Sequence, residues 1–212
     1  MKDHIVMGQL KSHDTRNLDQ YRVLHLEKPE YGNSSPSLIN LITFIIKHSQ
    51  LDLKKTDRIL DFGCGKSNAI LKIAQKLKVC GVKYDPALPQ YSDVPSGMFK
   101  FVINTDVLEH IDQVELPSIL QDIRTYSSSV IFNISTRAAK TILPNGENAH
   151  ATVKPADWWL EKIREYYPNS QIVLNTNNEV TIVTFKVSSN VINKLDIIKR
   201  GGIRAKLIML FS

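Results

Sequence analysis

A pair of glycines between a short apolar run and an amphipathic run is the feature that most limits how this chain can fold. The run Arg58–Phe62 (RILDF) predicts a strand, and Gly63 and Gly65 follow it at alternate positions. Next, Lys66–Leu77 spaces its apolar residues along one face of a helix, and Val79–Val82 predicts a second strand. A strand, a tight glycine turn, a helix and a strand in this order form one βαβ unit, so we predict a parallel sheet.

The remaining patterns extend this unit into a larger α/β fold. They predict a mostly parallel sheet flanked by helices and completed by a C-terminal antiparallel strand pair. The residues before Pro36 are polar and predict an irregular segment. The other predicted elements are a helix over Ser37–His48, a loop over Asp85–Gly97, a strand over Phe99–Asn104, a helix that follows Asp106, a strand over Ser129–Ile134, a helix over Pro155–Tyr166 and the paired strands Gln171–Leu174 and Val180–Val187.

Composition narrows the class of protein but leaves its activity open. With 212 residues, 42% of them hydrophobic, the chain is long enough to bury a core without disulfides or structural metal. Cys64 and Cys80 form no CxxC pair, which argues against a zinc ribbon or disulfide scaffold and fits a reducing compartment. The N-terminus lacks the apolar core of a signal peptide, and the longest apolar run, Leu38–Ile46, is too short to span a bilayer. We therefore expect a soluble cytoplasmic protein without a transmembrane segment.

The net charge of +6 belongs mostly to the end of the chain. Residues Ser188–Ser212 carry five Lys or Arg and one Asp, and the preceding 187 residues carry only +2. A basic segment of this kind suits nucleic acid or an anionic membrane, and it equally suits a solvated terminal helix, which we favour for 202–211.

Three kinds of ligand loop share glycines at this spacing. A P-loop requires glycine at position 60, which is Leu60 here, and a dinucleotide loop requires glycine at position 68, which is Asn68. Asp61, directly before the loop, would also repel a pyrophosphate. The third kind of loop binds a cationic ligand, for which an acidic residue at the strand end is favourable.

In this third form the segment resembles motif I of the class I S-adenosylmethionine (SAM)-dependent methyltransferases. Asp85 lies 24 residues after Asp61 at the end of the second strand, where an acid of the family binds the ribose of SAM. Phe99–Ile111 (FKFVINTDVLEHI) resembles the family signature in which an apolar strand leads into "LEH". The resemblance covers Tyr31–Val187 and implies a Rossmann-like fold with SAM as cofactor. The cofactor-binding residues it implies are Asp61, Phe62, Gly63, Cys64, Gly65, Asp85, Asp106, Val107 and Tyr31.

The resemblance also implies a departure from the family pattern. A typical member has a further helix and strand between the ribose acid and the "LEH" strand, but only thirteen residues separate Asp85 from Phe99. We predict that this region is abbreviated and that Tyr91, Ser92 or Asp93 replaces the usual adenine contacts. Leu143–Ile163 and Gly81–Pro89 further resemble bacterial and phage-type methyltransferase-domain proteins of undefined substrate.

Two histidines are candidate catalytic residues. His150 lies in the polar segment after the fourth predicted strand, where open α/β sheets place substrate loops, and His110 lies in the "LEH" signature. Histidine is the commonest general base near neutral pH, and oxygen or neutral nitrogen acceptors often need one. We predict no metal site. The predicted organisation is an N-terminal lid over 1–36, a methyltransferase-like domain over 37–187 and a basic C-terminal extension over 188–212.

The sequence excludes some acceptors and leaves others open. It has neither the Asn/Asp-Pro-Pro-Tyr/Phe tetrapeptide of adenine-N6 or cytosine-N4 DNA methylation nor the Pro-Cys pair of cytosine-C5 methylation. We favour a small-molecule or saccharide acceptor methylated on oxygen or nitrogen. A SAM-binding module without turnover and a nucleic-acid-binding protein that uses the basic tail are the alternatives, and no feature sets the oligomeric state.

Overall fold

The structure, a computed structural model, describes residues 15–28 and 30–200. Its helices and strands alternate over most of this range, as the sequence predicts. The helices are α1 (Thr15–Glu27), α2 (Pro36–Lys47), α3 (Ala69–Leu77), α4 (Leu116–Tyr126), α5 (Ala156–Arg164) and α6 (Ser189–Arg200). The strands are β1 (Arg58–Phe62), β2 (Cys80–Tyr84), β3 (Phe101–Thr105), β4 (Val130–Ser135), β5 (Gln171–Asn175) and β6 (Glu179–Val183).

The six strands form one sheet in the order β2-β1-β3-β4-β6-β5. Strands β2, β1, β3 and β4 pair in parallel, and β6 is antiparallel to both β4 and β5. This arrangement confirms the predicted α/β class with its C-terminal antiparallel pair. It also confirms the abbreviated region, because β2 is an edge strand and only a short 3₁₀ turn, Pro89–Tyr91, intervenes before β3.

Helices cover both faces of the sheet. On one face α2, α3 and α6 form a cluster with the strands, in which Ile45 and Ile70 are fully buried. On the other face α4 and α5 pack their apolar sides, and Trp159 of α5 is the largest fully buried side chain of the described residues. Strands buried on both faces read as continuous apolar runs, which is why β3 and β4 were recognisable from the sequence.

Helix α1 corrects the prediction of an irregular N-terminal segment. Its apolar residues do not form a stripe wide enough to signal a helix, so local pattern was uninformative. Tertiary contacts stabilise it instead, because Leu24 is buried against Leu143 and Ala149 of the segment that follows β4.

The C-terminal segment contributes to the core as far as the side chains are described. In α6, Val191 and Leu195 are buried in the cluster that contains α2. The helix predicted over 202–211, with Arg204 and Lys206, lies outside the described residues. No helix among the described residues is both long enough and apolar enough to cross a bilayer.

Candidate active site

A cavity of about 400 Å³ lies at the carboxyl ends of the parallel strands. Its floor comes from the loops after β1, β2, β3 and β4, and its roof comes from α1 and the turn that follows. Open α/β sheets place their ligands at this edge, and the volume lies in the usual range for small-molecule sites. Of the predicted cofactor-binding and catalytic residues, all but Asp61 line this cavity: Tyr31, Phe62, Gly63, Cys64, Gly65, Asp85, Asp106, Val107, His110 and His150.

The glycine loop is a tight turn that no other residue type would form easily. Gly63 and Gly65 have φ angles of +83° and +52°, a region that residues with a side chain rarely adopt. A Cβ atom at Gly63 would lie 2.4 Å from Cγ2 of Val107, and one at Gly65 would lie 2.8 Å from the carbonyl oxygen of Gly32. The glycines therefore allow the loop, the segment after β3 and the roof to meet.

Asp85 fixes this loop to the end of β2. Its Oδ2 accepts a hydrogen bond from the backbone N–H of Gly65 at 2.8 Å, and its Oδ1 accepts one from Ala87 at 2.9 Å. An ionised carboxylate can accept about four hydrogen bonds, so each oxygen keeps a lone pair for a ligand hydroxyl. Asp85 can thus organise the loop and bind a ligand at once.

Asp61 lies beneath the loop and is not part of the cavity wall. Its side chain is 1% exposed, and Oδ1 has no hydrogen-bond partner among the described residues. Burial raises the pKa of Asp61 to about 7, with a further increase from the charge of Asp85 and an opposing effect from Lys83. An ionised Asp61 is therefore costly, and a cationic ligand above the loop would reduce this cost.

The sequence prediction for the adenine side does not match the cavity. None of Tyr91, Ser92 and Asp93 lines it, whereas Pro86 and Ala87 do. Tyr91 lies at the edge of the sheet instead, where the ammonium of Lys83 is 3.9 Å from the centre of its ring. The shortened connection thus remains near β2 and leaves the cavity wall to the residues directly after Asp85.

The roof is attached to the glycine loop by a lysine. The Nζ of Lys66 donates hydrogen bonds to the carbonyl oxygens of His25 at 2.6 Å and Lys28 at 3.2 Å, and so it binds the C-terminal end of α1. Leu18, Tyr21 and His25 of α1 line the cavity, and sequence reasoning missed all three. Their spacing of three and four residues is helical, but it forms no apolar stripe because His25 is polar, so the spacing by itself was too weak a signal.

Tyr21 connects the roof to the loop after β4. Its hydroxyl donates to the carbonyl oxygen of Ala149 at 2.6 Å and lies 2.9 Å from Nδ1 of His110. Burial strongly raises the pKa of Tyr21, so this hydroxyl keeps its proton. The contact places the roof directly above the two candidate catalytic histidines.

His110 and His150 meet at one end of the cavity with their rings edge to face and 4.7 Å between centroids. A carbonyl oxygen can only accept, so Nδ1–H of His110 donates to Ala149 at 2.7 Å and Nδ1–H of His150 donates to Arg137 at 2.6 Å. Burial lowers the pKa of His110 to about 4, and it also lowers the pKa of His150. Both imidazoles are therefore neutral near pH 7, with Nε2 as the basic nitrogen.

The backbone turns sharply between β3 and the "LEH" segment. Asp106 has a φ angle of +54°, an uncommon value for a residue other than glycine, and its N–H donates to the carbonyl oxygen of Asn133 at 2.9 Å. The following 3₁₀ turn, Leu108–His110, directs Leu108 and Glu109 into the interior. Residues held in strained backbone regions cluster at functional sites, which fits the place of Asp106 on the cavity wall.

A family model described as a methyltransferase domain matches residues 37–171. No curated protein sequence matches this chain.

Solved structures with the same fold include two methyltransferases. One is Burkholderia thailandensis 1,6-didemethyltoxoflavin-N1-methyltransferase, with bound 1,6-didemethyltoxoflavin and S-adenosylhomocysteine. It is 11% identical with a TM-score of 0.57, and the match covers 85% of this chain and 93% of that protein. The other is an O-methyltransferase family protein from the same organism. It is 12% identical with a TM-score of 0.51, and the match covers 84% of this chain and 61% of that protein.

Proposed function

Because the chain belongs to the methyltransferase-domain family and has SAM as its cofactor, we propose that it methylates an oxygen or nitrogen atom of a small-molecule or saccharide acceptor. One observation carries the proposal: a single cavity joins the glycine loop to the histidine pair. A methyl donor and an acceptor in such a cavity would face each other without intervening solvent, as an in-line displacement requires.

On the cofactor side, the described residues fit SAM. Gly63 and Gly65 allow close approach of the ligand's amino-acid part, and Asp85 has lone pairs for the ribose hydroxyls. The buried carboxyl of Asp61 favours a ligand that carries an ammonium and a sulfonium. Tyr31 of the roof covers this region. The cofactor supplies the activated methyl group, and the protein supplies alignment and exclusion of water.

On the acceptor side, His150 is the proposed general base. His110 packs edge to face against it and lines the same end of the cavity. Both histidines carry the Nε2 lone pair at neutral pH, as an acceptor hydroxyl or amine requires of a base. His150 lies on the loop after β4, which also contributes Arg137 and Lys140 to the cavity. These two cations suit an acceptor with a negative group.

The roof favours a small acceptor over a polymer. A cavity of about 400 Å³ is near the lower end of the range for drug-sized ligands, so little volume remains beside a bound cofactor. The contacts of Tyr21 and Lys66 hold α1 across this volume, and a folded nucleic acid would have to displace them.

The first test is calorimetry of the full chain with S-adenosylhomocysteine. We expect saturable one-to-one binding that Asp85→Ala weakens about tenfold or more, which corresponds to about 1.4 kcal/mol. Asp93→Ala is the matched control, because Asp93 is exposed and outside the cavity wall, and its affinity should equal that of the wild type. Absence of binding, or equal affinity in Asp85→Ala, would contradict the assigned cofactor site.

The second test follows a radiolabelled methyl group from SAM to representative phenols, sugar nucleotides, heterocyclic amines and RNA. We expect transfer to a small molecule and a large loss of kcat in His150→Gln, with unchanged affinity for S-adenosylhomocysteine. Transfer to RNA alone would refute the acceptor class. Tight cofactor binding without transfer to any of these classes would favour a silent SAM-binding module.

A further inference from the structure

Glu109 is a buried carboxyl with one unused oxygen beside the cavity. It is fully buried, and its Oε1 accepts a hydrogen bond from the backbone N–H of Ser135 at 2.8 Å. Its Oε2 is buried as well and has no hydrogen-bond partner among the described residues. Buried polar groups nearly always have a hydrogen-bond partner, so the lack of one at Oε2 indicates that this oxygen binds a ligand.

The nearest groups of the right chemistry are the two cavity histidines. Glu109, His110 and His150 each offer one metal-ligating atom, and these atoms lie within 4.8 Å of one another. Three ligands about 2.1 Å from a common ion lie roughly 3.5 Å apart, so closure by about 1 Å would form a site. Of the three residues, Glu109 is fully buried, whereas His150 lies on a half-buried loop where its side chain has room to move.

Both imidazoles already have the orientation of metal ligands. Each donates its Nδ1–H to a backbone carbonyl, His110 to Ala149 and His150 to Arg137, and each therefore keeps Nε2 for another group. Metal-ligating histidines almost always bind a carbonyl or carboxylate through their other nitrogen, which fixes the tautomer and increases ligand basicity. Tyr21 adds a hydroxyl to the contact at Ala149 and orients His110 further.

We propose that Glu109, His110 and His150 bind a divalent transition-metal ion through Oε2 and the two Nε2 atoms. Two imidazoles and one carboxylate suit ions such as Zn²⁺, Mn²⁺ or Fe²⁺, and three protein ligands leave coordination positions open. Both histidines line the cavity, so an open position faces the acceptor end. The sequence analysis predicted no metal site, and only the tertiary structure brings His150 next to the "LEH" segment.

This site also refines the acceptor, and that part rests on the proposed function. A divalent ion lowers the pKa of a bound hydroxyl, so the acceptor would be an alcohol or phenol whose oxygen coordinates the metal. With the ion bound, the Nε2 lone pairs would serve as ligands, so the metal rather than His150 would make the acceptor nucleophilic. The bound hydroxyl would lose its proton to solvent water, its oxygen would take the methyl group from the sulfonium, and S-adenosylhomocysteine would be the leaving group. The acceptor class thereby narrows from oxygen or nitrogen to oxygen.

The experiment is a titration of chelator-treated, full-length protein with MnCl₂ alone, in which electron paramagnetic resonance measures free Mn²⁺. We expect one saturable site, with affinity reduced about tenfold or more in Glu109→Gln and His150→Gln. His48→Gln is the control and should bind like the wild type, because His48 follows the end of α2, does not line the cavity, and makes its ring hydrogen bond to the carbonyl oxygen of Phe44. Circular dichroism checks that each variant folds. If Glu109→Gln does not fold, the test still rests on His150→Gln, because His150 is only half-buried and its replacement should not disturb the core.

Two outcomes would overturn the proposal: no saturable Mn²⁺ binding, or binding that His150→Gln leaves unchanged. Neither outcome bears on cofactor binding, which is measured separately by calorimetry with S-adenosylhomocysteine. Conversely, Mn²⁺ binding that persists in protein unable to bind S-adenosylhomocysteine would support the metal site and contradict the proposed function.

Discussion

Replacing Asp61 with asparagine should stabilise the protein above neutral pH and weaken cofactor binding. The side chain is 1% exposed beneath the glycine loop, and one of its oxygens lacks a hydrogen-bond partner among the described residues. An ionised carboxylate in such a place is destabilising, and the nearby charge of Asp85 adds to the effect. Asparagine has nearly the same shape and removes the charge alone.

The magnitude follows from the pKa of Asp61. Its folded-state pKa is raised to about 7 from an ordinary value of 3.8, and the difference corresponds to about 4 kcal/mol. Well below pH 4 both states are protonated and the cost is absent. It grows as the pH rises from about 4 to 7, where only the unfolded state ionises, and is complete above pH 7. A buried amide without partners costs about 1–3 kcal/mol, so the net gain at pH 8 should be about 1–3 kcal/mol.

Urea unfolding at pH 4, 6 and 8 measures this difference. The stability of Asp61→Asn relative to wild type should rise with pH, from negative at pH 4 to positive at pH 8. Asp85→Asn provides the contrast, because both oxygens of Asp85 accept backbone hydrogen bonds and the amide loses one of them at every pH. Calorimetry of Asp61→Asn with S-adenosylhomocysteine should show an affinity that is lower by about tenfold or more. A relative stability that does not change with pH would refute the buried-charge argument, and unchanged affinity would refute the role in binding.

Two further predictions concern the roof. Gly65→Ala should abolish cofactor binding in calorimetry, since its Cβ would lie 2.8 Å from the carbonyl oxygen of Gly32. Gly146→Ala is the control, because Gly146 also has a positive φ, +88°, but a Cβ there would have no atom within 4 Å, so its affinity should be unchanged. Equal effects of the two substitutions would contradict the role of the contact with Gly32. Lys66→Met should increase hydrogen exchange in α1, because it removes the hydrogen bonds to the C-terminal end of that helix. The exposed Lys72 of α3 provides the control Lys72→Met, and unchanged protection of α1 in Lys66→Met would contradict the anchoring role.

Much of the fold was predictable because its signals are local. Strand β1 begins and ends where the sequence predicts, and the buried parallel strands appear as apolar runs with no alternation. Boundaries at turns were less accurate. The helix predicted from Lys66 begins at Ala69, since the intervening residues belong to the glycine turn, and the strand predicted from Phe99 begins at Phe101.

What the sequence determined by itself is the βαβ unit, the glycine loop and the succession of acidic residues at the strand ends, because each depends on residues that are close along the chain. The tertiary structure alone decided which distant segments meet there. It closes the cavity with α1, whose helix depends on contacts with Leu143 and Ala149, and it brings His150 to Glu109 and His110. The tertiary structure also decided which polar groups are buried. The carboxyl of Glu109 has an oxygen without a hydrogen-bond partner only because the surrounding chain excludes water from it.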